Sequence, residues 1–429
     1  MDARLIYVCL DGLGDDPIPE LDGRTPLEAA ETPHLDALAS RGRTGTVITV
    51  GPGIAPESDI GVFGILGYDP SEEHPGRGVL EALGTGMDFR DGDLAYRINF
   101  ATCDWPRIVD RRVGRDLTSD EARALAGEVT EKLVLPGASF QLRATIEHRG
   151  ALVIRDDAGE PLSANVTNTD PAYERRGHLG VALGSFEPVV VTAEALEDTA
   201  AARRAAELTN AFVEGAAKVL DASAVNAARR AASKLPGNLI LTRDGGDRLP
   251  RLQPIEERFG MKWGCFVEMP VERGIALALG MEPVAVPRLD PAGFGPAAED
   301  AYADWAALAA EAIAEFQAVY VHIKGPDVPA HDGRAEDKRD VVSAIDEAFF
   351  GELLPRIDMA RTVVAVTADH STSCARKAHT ADPVPLILSG GPVTPDGSTS
   401  FGERAAATGS LGELRGVEIL RELTRLLEA

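Results

Sequence analysis

The chain has 429 residues, of which 68 are acidic and 43 basic, giving a formal charge of −25. That length exceeds one typical domain, and the acidic balance excludes nucleic acid and anionic membranes as partners, because both demand a basic face. Hydrophobic residues make up 44% of the chain, yet no apolar run approaches the roughly 20 residues of a membrane span, so a soluble protein is expected.

The segment Leu5 to Leu10 follows neither a basic n-region nor a small-residue cleavage site, so it is predicted to be a first strand, Arg4 to Leu10, of a cytoplasmic protein. A loop from Asp11 to Arg24 follows, then a helix near Thr32 to Arg41, with Thr32 as cap and Pro33 at the first helical position. The middle of the chain changes texture. Ser139 to Ile154 alternates polar and apolar residues around His148-Arg149-Gly150, as an antiparallel hairpin does, and Ala193 to Lys234 is rich in alanine and arginine, as a long helix is. Beyond it, Ala318 to Ile323 and Thr362 to Thr367 are short runs rich in valine and isoleucine with helical patterning between them, around Glu336 to Leu354. Buried parallel strands alternating with helices produce this pattern. The expected fold is α/β: a mostly parallel sheet flanked by helices, built from residues 1–90 and 236–429, with a smaller α+β domain, 91–235, inserted in it. Four cysteines without a CxxC pair, Cys9, Cys103, Cys265 and Cys374, are expected to be reduced thiols.

All three strands run into a polar loop that carries an acid: Asp11 after Leu10, Asp327 shortly after Ile323, and Asp369 after Thr367. The carboxyl ends of parallel strands form the ligand edge of an open sheet, so three carboxylates distant in sequence converge there. His331, His370 and His379 fall in the same loops. Aspartate and histidine together ligate divalent cations, and two such cations can clamp the attacking and leaving oxygens of a phosphoryl transfer. Taken singly, each residue has a plain structural explanation as a turn or cap, and the grouping is what points to chemistry.

Phosphoryl transfer also needs a nucleophile. Ser58 follows a loop rich in proline and glycine and precedes a predicted helix, where start-of-helix N–H groups receive phosphate oxygens; capping of that helix by Ser58 or Asp59 is the alternative. Arg77, Arg97, Arg111, Arg112 and Arg115 lie within forty residues and suit a grip on phosphate or carboxylate, unless they form a solvated charged face. Lysine is scarce, with seven in the chain, and Lys262 and Lys324 are the two placed to neutralise charge on a transferring group.

The motifs DGLGDDPIPELDGRTPLEAAETPHLDALA, PESD, LGYDP, GRGVLEALGTG, RINFATCD, IVDRRVGR, GMKWGCF, HIKGPDVPAHDG, TADHSTS, HTADPVPLIL and GSLGELRG run almost end to end. Together they resemble the archaeal-type cofactor-independent phosphoglycerate mutases of the alkaline phosphatase superfamily. The resemblance implies one metal on Asp11, Ser58, Asp369 and His370 and a second on Asp327, His331 and His379. Manganese is preferred, with magnesium, zinc or cobalt as alternatives, and 2,3-bisphosphoglycerate is not required. It further implies phosphorylation of Ser58 by phosphoglycerate, contact of Lys262 with the phosphoryl group, and a glycerate held by Asp110 and Arg111, with lesser roles for Arg77, Arg97, Arg112 and Lys324. A homo-oligomer is compatible with this reading. The run Ser58-Asp59-Ile60-Gly61-Val62 departs from the Ser-Asp-Thr-Ala-His of many members, which leaves the ligands intact and bears on substrate placement. A metal-dependent phosphomonoesterase or phosphonate-type hydrolase, a homoserine-kinase-type phosphotransferase and a catalytically silent binding protein are the competing readings.

Overall fold

A computed structural model describes residues 3–176, 179–183, 185–289 and 293–428. The chain divides into two compact units. One comprises Met1–Glu73, Leu252–Glu268 and Leu279–Ala429, and the other His74–Arg251 with Met269–Ala278.

The first unit is built on an eight-stranded sheet in the order Glu282–Pro283, Trp263–Phe266, Ala318–Ile323, Arg4–Leu10, Thr362–Thr367, Val384–Gly390, Gly42–Ile48, Gly412–Arg415. Seven strands run one way. Val384–Gly390 alone is antiparallel to both of its neighbours. The three central strands have almost no exposed residue, so their runs of valine, isoleucine and leucine are covered on both faces, as parallel strands between helical layers must be. Their ends coincide with those expected from the sequence.

Two helices differ from expectation for identifiable reasons. The helix Pro33–Ser40 receives no side-chain cap from Thr32. Asp346 supplies one from elsewhere in the chain, its carboxylate accepting hydrogen bonds from the backbone N–H of His34 at 3.0 Å and Leu35 at 2.8 Å. Asp346 sits where the helix Ala335–Ile345 widens into a π turn, Asp346–Phe350. Such insertions re-aim one side chain within a helix.

The second unit centres on a five-stranded antiparallel sheet in which Leu94–Asp104 pairs with Arg107–Asp110, Arg149–Asp156 and Leu239–Gly246, and Ala138–Ala144 forms the outer edge. The hairpin turn lies at 145–148, just before Arg149-Gly150. Leu94, Tyr96, Ile98 and Phe100 point to the core shared with the helices Ser119–Lys132 and Ala200–Asp221. The stretch 193–234 is therefore not one helix; a new one, Ala224–Ala231, starts where the Ser223 hydroxyl accepts from Val225 N–H. On the opposite face, Ala95, Ala151 and Val153 pack with Val79 and Ala82 of the helix Arg77–Gly84. That helix and the strand Leu239–Gly246 lie outside the 91–235 expected for the inserted domain, because the sheet is incomplete without the strand and its second face is uncovered without the helix.

Candidate active site

At the carboxyl edge of the central strands, Asp11, Asp369 and His370 are fully buried. Asp11 Oδ2 accepts from His322 Nε2 at 2.9 Å and pairs with the Lys324 ammonium. Asp369 Oδ1 accepts from the backbone N–H of Gly12 and His370 at 3.2 and 3.1 Å. The remaining oxygens, Asp11 Oδ1 and Asp369 Oδ2, have no hydrogen-bond donor and lie 3.6 and 3.3 Å from His370 Nε2. Ser58, the first residue of the helix Ser58–Ile65, places Oγ 3.2 Å from the same nitrogen. Gly61 lets that helix come so near, since a Cβ there would sit 2.3 Å from the Asp369 carbonyl oxygen.

Beside this group, Asp327 Oδ1 lies 3.5 Å from His331 Nε2 and 3.6 Å from His379 Nε2. Those two nitrogens are 3.1 Å apart, and the rings of His370 and His379 stack at 3.7 Å. Every one of the three histidines has Nδ1 against an oxygen: His331 on Lys377 O at 3.2 Å, His379 on Pro56 O at 2.7 Å and His370 on Thr372 Oγ1 at 3.0 Å. A carbonyl accepts only, so Nδ1 of His331 and His379 donates and Nε2 is the nitrogen turned inward.

The charges are strongly coupled. Burial works against the ionised form of Asp11, but the Lys324 ammonium, the His322 hydrogen bond and His370 together outweigh it and hold the carboxylate below its ordinary range. Burial and then the Asp11 charge push Asp369 up to about 7. Burial, followed by the charge on His379, lowers His370 to about 3, so it is neutral with an available lone pair. Burial opposes protonation of His379, yet hydrogen bonding to Asp327 and its charge raise it to about 10. Against burial, His379 holds Asp327 well below the carboxylate range. Two donor groups, Asp11 with Asp369 and His370, and Asp327 with His370 and His379, each gather ligand atoms within 4.8 Å of one another. Buried carboxylate oxygens without donors, facing imidazole nitrogens, fit divalent cations, whose charge would take the place of the proton on His379.

Lys262 is not part of this cluster. It precedes its strand and so lies at the amino edge, level with Gln317, where Nζ pairs with Glu282 at 3.1 Å and lies over the Phe316 ring. Six residues of strand, about 20 Å, separate that level from the carboxyl edge, and the lysine at the cluster is Lys324.

The second unit gathers cations of its own. Arg97 is buried, with Nε and Nη1 lacking hydrogen-bond partners and Nε 3.8 Å from Glu81, which also pairs with Arg77 at 3.5 Å. Burial, then the charges of Arg243 and Arg77, lower Arg97 to about 9. Arg243 is its cross-strand partner and Arg149 is opposite Asn99, a placement of like charges that costs a sheet stability. His148 is lowered to about 3 by burial and then by Arg149, Arg112, Arg97 and Arg115. Arg77, Arg97 and Arg112 thus share one field with Arg149, Arg243 and His148, which the sequence did not single out. Arg111 differs: its Nε and Nη2 are engaged by Asp170 at 2.7 and 2.5 Å. Asp110 Oδ1 accepts from Arg112 N–H at 2.6 Å and shapes the turn after its strand.

No helix among the described residues is long and apolar enough to cross a membrane. A family model described as 2,3-bisphosphoglycerate-independent phosphoglycerate mutase matches residues 39–226. The chain is 44% identical over 421 residues to the 2,3-bisphosphoglycerate-independent phosphoglycerate mutase of Aeropyrum pernix, with 96% of each covered. Among solved structures it is similar to a cofactor-independent phosphoglycerate mutase from Thermoplasma acidophilum, at 33% identity and a TM-score of 0.64 over 99% of this chain and 100% of that one. It is also similar to a Pyrococcus horikoshii protein, at 29% identity and a TM-score of 0.80 over 99% and 97%.

Proposed function

Because this chain belongs to the 2,3-bisphosphoglycerate-independent phosphoglycerate mutases, we propose that it interconverts 3-phosphoglycerate and 2-phosphoglycerate through a phosphoserine at Ser58. The observation that carries this reading is the position of Ser58 Oγ, 3.2 Å from the inward nitrogen of His370, which also faces two buried carboxylate oxygens without donors. Asp11, Ser58, Asp369 and His370 would hold one divalent cation, and Asp327, His331 and His379 the other. Manganese suits a set that mixes carboxylate and imidazole better than magnesium, which prefers oxygen, and zinc and cobalt are compatible with it. Bound there, the cations supply Lewis acidity and make a hydroxyl easier to deprotonate.

The chain's own groups do the rest. Ser58 Oγ forms a bond to phosphorus as the bond to the 3-oxygen breaks, and the serine proton ends on the departing hydroxyl. The start of the helix Ser58–Ile65 directs N–H groups toward the transferred oxygens, and Lys324, with His322 and His370, favours the ionised form of Asp11. The glycerate then offers its 2-oxygen to the phosphoserine, and Ser58 recovers a proton. The arginine field around Arg97, Arg112, Arg149 and Arg243 suits the substrate's anionic groups, with Arg77 beside it and Asp110 and Arg111 shaping the adjoining turn. Such a reaction belongs to glycolysis and gluconeogenesis, and hence to the cytoplasm. Family membership disfavours the hydrolase and kinase alternatives.

The test is to incubate the Mn2+-loaded protein with 3-phosphoglycerate, without 2,3-bisphosphoglycerate, and to follow 2-phosphoglycerate and free phosphate by phosphorus NMR. The 2-isomer with little phosphate is expected, and phosphate alone would refute a mutase. Ser58→Ala should abolish turnover with an unchanged fold, and substantial residual activity would refute the phosphoserine.

A further inference from the structure

Thr372 is fully buried two residues after His370, and its hydroxyl touches both donor groups. Oγ1 donates to Asp327 Oδ1 at 2.7 Å and lies 3.0 Å from His370 Nδ1. A threonine hydroxyl has a single proton, and here the carboxylate takes it. His370 must therefore donate through Nδ1–H, which leaves its Nε2 lone pair facing Asp11 Oδ1, Asp369 Oδ2 and Ser58 Oγ. One hydroxyl thus sets the tautomer and ring plane in one group and the carboxylate orientation in the other. The backbone makes room for it: Gly12 has φ +64°, and a Cβ there would come within 2.6 Å of Thr372 Oγ1 and 2.8 Å of Asp327 Oδ1. The space is reserved in the same loop that carries Asp11.

We infer that Thr372 is a positioning residue that couples the two cation sites, so that loss of its hydroxyl weakens both ions together. This rests on the two-cation reading above. Groups that orient ligands from behind typically change metal affinity by about 10–100-fold when removed, and a shared one should do so twice. Neither Val nor Ser alters the charge of the site. Val keeps the shape of threonine without the hydroxyl, and Ser keeps the hydroxyl without the methyl.

The test is Mn2+ titration of the metal-free wild type, Thr372→Val and Thr372→Ser by calorimetry, with Co2+ absorption spectra of each as a report on ligand geometry. The wild type should take two ions. Thr372→Val should bind both about 10–100-fold more weakly with altered Co2+ bands, and Thr372→Ser should restore affinity and spectrum. A valine variant equal to the wild type, a loss confined to one ion, or a serine variant as weak as valine would overturn the coupling alone. A wild type that takes fewer than two ions would overturn the two-cation reading along with it. A second measurement needs no variant: nitrogen NMR of histidine-labelled, Zn2+-loaded wild type should show His370 protonated at Nδ1, and protonation at Nε2 would refute the inference.

Discussion

Lys338 provides a severe test of how the loops under the site are held. Its side chain is fully buried, and Nζ donates to Gly14 O at 3.0 Å, Asp15 Oδ2 at 3.0 Å and Thr372 O at 2.9 Å. Asp15 accepts in turn from Cys374 N–H. One ammonium, carried on the helix Ala335–Ile345, therefore ties the loop after the first strand to the loop that bears His370. Lys338→Met keeps the apolar stem and removes the ammonium, leaving the buried Asp15 side chain without its ion-pair partner and two carbonyls short of a donor. Breaking a buried pair from one side costs about 3–5 kcal/mol. For a unit of this size each kcal/mol lowers the melting temperature by about 2–4 °C, so a fall on the order of 10 °C is expected. Calorimetric melting of the metal-free protein measures it, and the double variant Lys338→Met with Asp15→Asn should recover part of the loss, because no charge is then left unpaired. A single-variant loss under about 1 kcal/mol, the scale of an exposed pair, would refute the reasoning.

The other expectations concern charge. Glu403 accepts from Thr25 Oγ1 at 2.6 Å and Asp15 N–H at 3.2 Å, and burial pushes its carboxyl up to about 7 from the usual 4.5. A raised value means the folded state prefers the proton, so this stabilisation is complete below the unfolded value and is lost as pH rises through about 7. Glu403→Gln should flatten the stability of the metal-free protein between about pH 5 and pH 8, and denaturant titrations showing the wild-type slope would count against it. Arg97→Met should leave the second unit as stable or more so by up to about 1 kcal/mol, since it removes a like-charge pairing with Arg243, while raising the KM for 3-phosphoglycerate. A destabilised variant with unchanged KM would reverse the assignment. Lys262→Ala should leave kcat and KM unchanged, given its place at the amino edge, and a steady-state loss of kcat would contradict that placement.

What the sequence made legible follows from burial. Strands covered on both faces show as unbroken runs of valine and isoleucine, so Arg4–Leu10, Ala318–Ile323 and Thr362–Thr367 have the ends read from sequence, and the acids after them follow. Lys262 was misplaced although a signal was present: it precedes its strand, whereas Lys324 follows one, and only the following position lies at the ligand edge. Arg243 and Arg149 carry no motif, and their partnership with Arg97 and Asn99 exists only through strand register. The Asp346 cap joins residues more than 300 apart, beyond any local rule.

The order of the central strands also sets a timetable for synthesis. Arg4–Leu10 has its two hydrogen-bonded neighbours at Ala318–Ile323 and Thr362–Thr367, so on the ribosome it waits for more than 300 residues. At about 5–20 residues per second that is a delay of roughly 15 seconds to a minute. Residues 74–251, by contrast, emerge as one uninterrupted block whose sheet pairs only with itself. The nascent chain can thus assemble its arginine-bearing sheet early, while neither donor group is complete until His370 has been made, and the one with Asp327 waits further for His379. A chain cut short before His370 carries Ser58 without the buried imidazole that lies 3.2 Å from its hydroxyl.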